Sequence, residues 1–96
     1  MARPNKLEEA NIIERLDALP GWGGDVTALK KTFKFADHIT AMGFVTKVAI
    51  CAEVLDHHPD LHIVYNTVDI TLNTHDAGGV TELDFKLADK IEKYAS

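Results

Sequence analysis

Asp56-His57-His58-Pro59 and Thr74-His75 hold three of the five histidines of this 96-residue chain. A neutral imidazole gives or takes a proton near pH 7, so three of them at the ends of regular elements point first to acid/base chemistry. Pro59 stops the preceding helix and fixes the exit of the chain, which makes the local geometry rigid. Adjacent residues at a helix end point in different directions, so His57 and His58 serve one pocket only by reaching different parts of a ligand. A structural reading competes with this one: a helix C-terminus favours a positive or donor side chain, and Asp56 can pair with either ring. Glu53 and Asp56 are close enough in sequence to orient an imidazole and fix its tautomer.

Other chemistries fit these residues less well. His57, His58, His75 and Cys51 are all metal-ligand types, but vicinal histidines chelate one ion poorly and none of the usual zinc spacings is present. The expectation is therefore no metal. Cys51 has no histidine neighbour at short helical spacing and reads as a packed small hydrophobe, and the only serine is Ser96, so no nucleophile stands out. His38, after a helix cap, and His62, within a strand, read as structural or exposed.

With 46% hydrophobic and 26% charged residues, the chain lies far from the composition of disorder and is expected to be one domain over residues 1–96. A net charge of -5 leaves no basic patch to neutralise phosphates, which argues against direct nucleic-acid binding. In the one tight basic group Lys30 and Lys34 fall on one face of a strand and Lys31 on the other, and the group reads as a solvated strand face. A single cysteine rules out an internal disulfide. Met1-Ala2-Arg3-Pro4-Asn5-Lys6 lacks the apolar stretch of a secretion signal, and no uninterrupted apolar run approaches the length that spans a bilayer. The expectation is a cytoplasmic protein without membrane contact.

The elements that must position the histidines follow from periodicity. Residues 7–19 read as a helix with Ile12, Ile13, Leu16 and Leu19 inward, Asn5 as its cap, and Pro20-Gly21 as its stop. Trp22 is either a core plug or the wall of a flat, ring-shaped ligand site. Residues 26–35 alternate as a half-buried strand, paired with a short one around 22–26. Asp37 caps a helix that runs to Leu55 and is apolar on nearly all sides, so a second helix or subunit is expected on the face its own sheet leaves free. Residues 61–65 and 68–74 form a hairpin with Asn66 as the residue of positive φ. On its second strand Val68, Ile70 and Leu72 face the core, while Asp69, Thr71, Asn73 and His75 lie on the opposite face. Thr81 and Asp84 form a capping box that opens a last helix with Leu87, Ala88, Ile91 and Ala95 inward. The order α-β-β-α-β-β-α gives an α+β fold, a four-stranded antiparallel sheet with three helices on one face.

Glu53-Val54-Leu55-Asp56-His57-His58-Pro59, Tyr65-Asn66-Thr67-Val68, Ile70-Thr71-Leu72-Asn73-Thr74-His75, and Gly79-Val80-Thr81 with Asp84 together resemble the pterin-4a-carbinolamine dehydratases. The likeness runs from about Leu16 to the C-terminus and includes Gly21-Trp22 and Gly43-Phe44. It implies an enzyme that removes water from a 4a-hydroxytetrahydropterin to give a quinonoid dihydropterin, recycling the cofactor of aromatic amino-acid hydroxylases with no metal or organic cofactor of its own. It further implies a catalytic set of His57, His58 and His75, in which His57 and His75 are general acid/base residues and His58 mainly binds. Trp22 would flank the pterin ring, Asp84 would position the ring or a histidine, and Glu53 and Asp56 complete the substrate-binding set. The family forms homodimers or tetramers through sheet edges and the long helices. Animal members also serve as dimerisation cofactors of a homeodomain transcription factor, which is the alternative, non-catalytic reading. The short Gly23-Gly24 turn and Asp76-Ala77-Gly78 depart from the family pattern.

Overall fold

The computed structural model describes residues 4–95. Met1, Ala2 and Arg3, the start of the segment read for a secretion signal, and Ser96 lie outside the described residues. The elements run α1 (Glu9–Leu16), β1 (Gly23–Gly24), β2 (Leu29–Lys34), α2 (His38–Leu55), β3 (Asp60–Val64), β4 (Thr67–Leu72), a single 3₁₀ turn (His75–Ala77) and α3 (Glu82–Ala95). The sheet is antiparallel with strand order β1-β2-β4-β3, and three helices cover one of its faces, as the periodicity requires.

Register sets which side chains meet the helices. Leu29 opposes Leu72, Phe33 opposes Val68 and Ile63 opposes Val68 across the central ladders, and all of these belong to or pack against one apolar core with Phe44, Val48, Leu87 and Ile91 from α2 and α3. Each side chain of this size that is fully buried contributes about 1.5–3 kcal/mol relative to exposure. Lys31 falls on the same inward face but ends in polar company: its Nζ is paired with Glu92 of α3 and donates to the Pro20 carbonyl at 3.0 Å. Lys30, Thr32 and Lys34 lie on the solvated face.

Two boundaries differ from the sequence reading. The first helix is shorter than residues 7–19, starting after Glu8 with no side-chain cap, so Asn5 does not cap it. Its end loosens into single turns, with Asp17, Ala18 and Leu19 donating to carbonyls three residues back, before Pro20. Ile12 and Leu19 are buried, whereas Ile13 is 58% exposed: at 100° from Ile12 it cannot share the stripe that positions 12, 16 and 19 define. In the β3–β4 turn the positive φ belongs to Tyr65 (φ 51), not to Asn66. Asn66 is held otherwise: its carbonyl accepts from the Phe35 N–H at 2.8 Å and its side-chain amide donates to the Phe35 carbonyl at 2.8 Å.

α2 buries Ala41, Phe44, Val48, Cys51 and Ala52 against the sheet and α3. The opposite face leaves Ile39 82%, Ile50 59% and Val54 78% exposed, which explains the all-round apolar pattern: this chain covers one side only. At 18 residues and mean hydropathy 1.4, α2 is long and apolar enough by length and composition to cross a membrane; core helices of globular domains pass the same test, and its inner stripe is packed into the core. Asp37 caps the helix, its carboxylate accepting from the Thr40 N–H at 2.7 Å, and hydrogen bonds from the Thr40 backbone and side chain hold that carboxyl below the usual carboxylate range. A depressed carboxyl stabilises the fold above its unfolded pKa and stops doing so as pH falls through its folded pKa. Asp37→Ala is therefore expected to lower the urea midpoint at neutral pH, with the difference from the wild type closing in acid, below the normal carboxylate range.

Candidate active site

The end of α2 decides where the two adjacent histidines go. Asp56 takes a left-handed conformation (φ 50, ψ 44), its N–H donates to the Glu53 carbonyl at 3.2 Å, and the His57 N–H donates to the Ala52 carbonyl at 3.0 Å. These two bonds form a Schellman turn, in which the residue after the left-handed one folds back onto the helix's inner side. That residue is normally apolar; here it is His57, which is 6% exposed. His58 is directed outward, and its Nε2 lies 2.5 Å from the exposed Glu53 carboxylate.

Turned inward, His57 meets a carboxylate that is sealed from solvent and depends on protein donors. Asp84, in the first turn of α3, is 0% exposed, and its Oδ1 lies 2.6 Å from His57 Nε2. Its Oδ2 accepts from the Thr81 N–H at 2.9 Å and from the Thr74 hydroxyl at 3.0 Å. The capping box read from Thr81 and Asp84 is thus present, with the Leu83 N–H donating to Thr81 Oγ1 at 3.2 Å. A carboxylate only accepts, so Nε2 of His57 carries the proton of this contact and a neutral ring keeps its lone pair on Nδ1. Among the described residues no buried side-chain nitrogen or oxygen lacks a partner. Nδ1 of His57 has none, so it is the part of the ring that reaches solvent.

That solvent is a cleft of about 220 Å³ lined by Asp56, His57, His58, Asn73, Thr74, His75 and Asp76. The three histidines singled out in the sequence therefore share one open cavity. β4 ends at Leu72 rather than continuing to residue 74, and His75 starts the 3₁₀ turn. Thr74 closes that turn by an isolated bridge to Gly79, its carbonyl accepting from Ala77 and Gly78 at 3.0 Å each, which projects the exposed His75 ring to the cleft. Glu53 and Asp84 do not line the cavity; each stands behind a histidine that does. Asp56 lines it directly.

Trp22 is the one site candidate that this geometry keeps elsewhere. It is 7% exposed, lies edge-on to Phe33 with ring centroids 6.1 Å apart, and its indole N–H donates to Glu92 Oε1 at 2.7 Å. Glu92 follows Asp84 by two turns of α3, roughly 12 Å along the axis, so the core-plug alternative describes Trp22 within this chain. Asn73, Thr74 and Asp76 are cleft residues that carried no role in the sequence reading. Thr74 had a signal: it continues the inward row Val68, Ile70, Leu72, where a polar side chain needs a buried partner. Among the described residues no group of three His, Cys, Asp or Glu side chains is placed to hold a metal ion.

The fold is that of the pterin dehydratases as a class. A crystal structure of a transcriptional coactivator/pterin dehydratase from Brucella melitensis matches with a TM-score of 0.92 and 47% identity, covering 96% of this chain and 100% of that one. A pterin dehydratase-like RuBisCO assembly factor of the alpha-carboxysome, at 22% identity and a TM-score of 0.65 over 78% of this chain and 87% of its own, shares the fold alone. Residues 5–94 match the family model described as pterin 4 alpha carbinolamine dehydratase, and the chain belongs to that family. A relative from Rhizobium leguminosarum bv. trifolii is 53% identical over 95% of this chain and 92% of its own. One from Sulfolobus acidocaldarius is 49% identical over 92% of this chain and 97% of its own. Both carry provisional pterin-4-alpha-carbinolamine dehydratase names.

The two histidine–carboxylate pairs differ in what they hold. Asp84→Ala strands three donors, all on residues buried with it, each costing ~1–3 kcal/mol when left unpaired, so a loss of about 3 kcal/mol or more is expected. His58→Ala breaks a solvent-exposed pair and is expected to change stability by less than about 1 kcal/mol. Urea unfolding of both variants checks the contrast; equal losses would show that burial does not separate the pairs.

Proposed function

We propose that this protein is a cytoplasmic dehydratase acting on a 4a-hydroxytetrahydropterin, with water and the quinonoid dihydropterin as products, and that it recycles the pterin spent by aromatic amino-acid hydroxylases. The observation that carries the reading is the convergence of His57, His58 and His75 on one cleft, with the inner ring held by a buried carboxylate. Membership of the family and the dehydratase names of relatives about half identical to this chain support it.

The reaction balances with proton transfers alone. The C4a–O bond breaks as the hydroxyl takes up a proton and leaves as water, while the proton on N5 is lost and its electron pair forms the C4a=N5 double bond. One acid and one base on a flat heterocycle suffice, and a positioned imidazole accelerates each transfer by about 10²–10⁴-fold. His57, its Nδ1 free at the cleft, and His75, on the opposing turn, take these roles; His58, paired with Glu53, holds the substrate. His57→Ala and His75→Ala are each expected to lower kcat for a synthetic 4a-hydroxytetrahydropterin by roughly 100-fold or more with far-UV circular dichroism unchanged. Unaltered rates in both folded variants would leave the histidines a structural role only.

A second reading rests on the outer face of α2. Ile39, Met42, Ile50 and Val54 form an exposed apolar row at helical spacing, interrupted by Thr46, and an exposed apolar face of this kind marks an association surface. We propose a second copy of this chain as its occupant, giving the dimer or tetramer that the family resemblance implies. The transcriptional coactivator description of the Brucella melitensis relative makes a partner protein on the same row the alternative. Ile50→Asp with Val54→Asp is expected to shift sedimentation to the monomer; a wild-type monomer at micromolar concentration would remove the self-association reading.

A further inference from the structure

We propose that Thr74, with Thr81 behind it, is a positioning residue for the dehydration: a one-way row of hydroxyls that fixes the Asp84 carboxylate and, through it, the tautomer of His57. The proposal rests on the function proposed above and concerns how the same cleft is kept ready.

The direction of every hydrogen in the row follows from counting donors. Asp84 Oδ2 only accepts, so the single hydroxyl hydrogen of Thr74 goes to it, over 3.0 Å. The 2.8 Å contact between Thr74 Oγ1 and Thr81 Oγ1 must then be donated by Thr81. The Thr81 oxygen in turn accepts from the Leu83 N–H. The row therefore runs from Leu83 N–H through Thr81 and Thr74 to Asp84, and the other carboxylate oxygen receives His57 Nε2–H. With Thr74 at 2% and Thr81 and Asp84 at 0% exposure, the members of the row are bonded to one another rather than to bulk solvent.

Two structural duties that offer another explanation of Thr74 are already discharged without its hydroxyl. The α3 cap is complete in Thr81, Leu83 and Asp84. The turn that carries His75 is held by the Thr74 backbone, whose N–H donates to the Gly79 carbonyl at 2.9 Å and whose carbonyl takes the Ala77 and Gly78 N–H groups. What the hydroxyl adds is a second donor on Oδ2, which stops the carboxylate from turning about its own bond and keeps Oδ1 on the imidazole. Thr74 is also the residue before His75, so one side chain ties the segment bearing one cleft histidine to the carboxylate holding another. Without it, the freed Thr81 hydroxyl competes for Asp84, the hold on Nε2–H loosens, and the Nδ1 lone pair at the cleft is lost for part of the time.

The test uses the whole chain, Thr74→Val and Thr74→Ser, with two readouts. In ¹⁵N-labelled wild type, two-bond ¹H–¹⁵N correlation at a pH where the ring is neutral is expected to show His57 in the Nε2–H tautomer. Thr74→Val is expected to move those shifts toward a mixture and to lower kcat roughly 10- to 100-fold, with KM changed less than kcat. Thr74→Ser, which restores the hydroxyl, is expected to recover most of both. A wild-type Nδ1–H tautomer overturns the proposal even if Thr74→Val fails to fold, and so does a folded Thr74→Val with wild-type His57 shifts. A wild type with Thr74-dependent shifts but no dehydration of the pterin would instead sink the proposed function.

Discussion

A carboxylate sealed from solvent has to complete its hydrogen bonds inside the protein, and the cleft end of this domain is arranged around that requirement at Asp84. Leaving such a group unpaired costs several kcal/mol, so its donors must arrive together and stay. They come from three separate parts of the chain: the residue after the α2 turn, the end of the β4 segment, and the cap of α3. The end of α2, the end of β4 and the start of α3 are thereby tied at one polar point, and the imidazole at that point has its outer face turned to solvent.

The Schellman turn at Asp56 resolves the difficulty posed by two adjacent histidines. In a continuing helix, neighbours lie 100° apart and neither is well buried at a helix end. The left-handed Asp56 reverses the chain so that His57 turns inward and His58 outward. Pro59 then carries the chain into β3. The same dipeptide thus supplies a ring fixed by a buried partner and a ring held by an exposed one, which is what different duties toward one flat ligand require.

Much of this was legible because periodicity reports burial directly. The alternation in β2 and β4 fixed the sheet's inward face, and the apolar girth of α2 announced a helix that this chain covers on one side. The histidines were conspicuous by type and by their place at element ends. What stayed hidden depended on partners distant in sequence. Trp22 can serve a core or a ring-shaped ligand until Phe33 and Glu92 are seen around it. Asn66 has the composition of a left-handed turn residue, but its bonds to Phe35 leave that conformation to Tyr65. Thr74 was readable in principle, since strand parity places it inward after Leu72, although its partners ten and seven residues ahead, Asp84 and Thr81, were not.

The capping box at the start of α3 shares its carboxylate with the cleft, and this joins two properties that most proteins keep apart. Fraying is the cheapest motion a helix has, and it begins at the terminal turn. Here the first turn of α3 cannot fray without withdrawing Asp84 from His57, so opening of the helix end and disarming of the histidine form one cooperative unit. Hydrogen exchange at the Thr81 amide, whose proton is bound to that carboxylate, is thus a direct gauge of the fraction of time the cleft is intact.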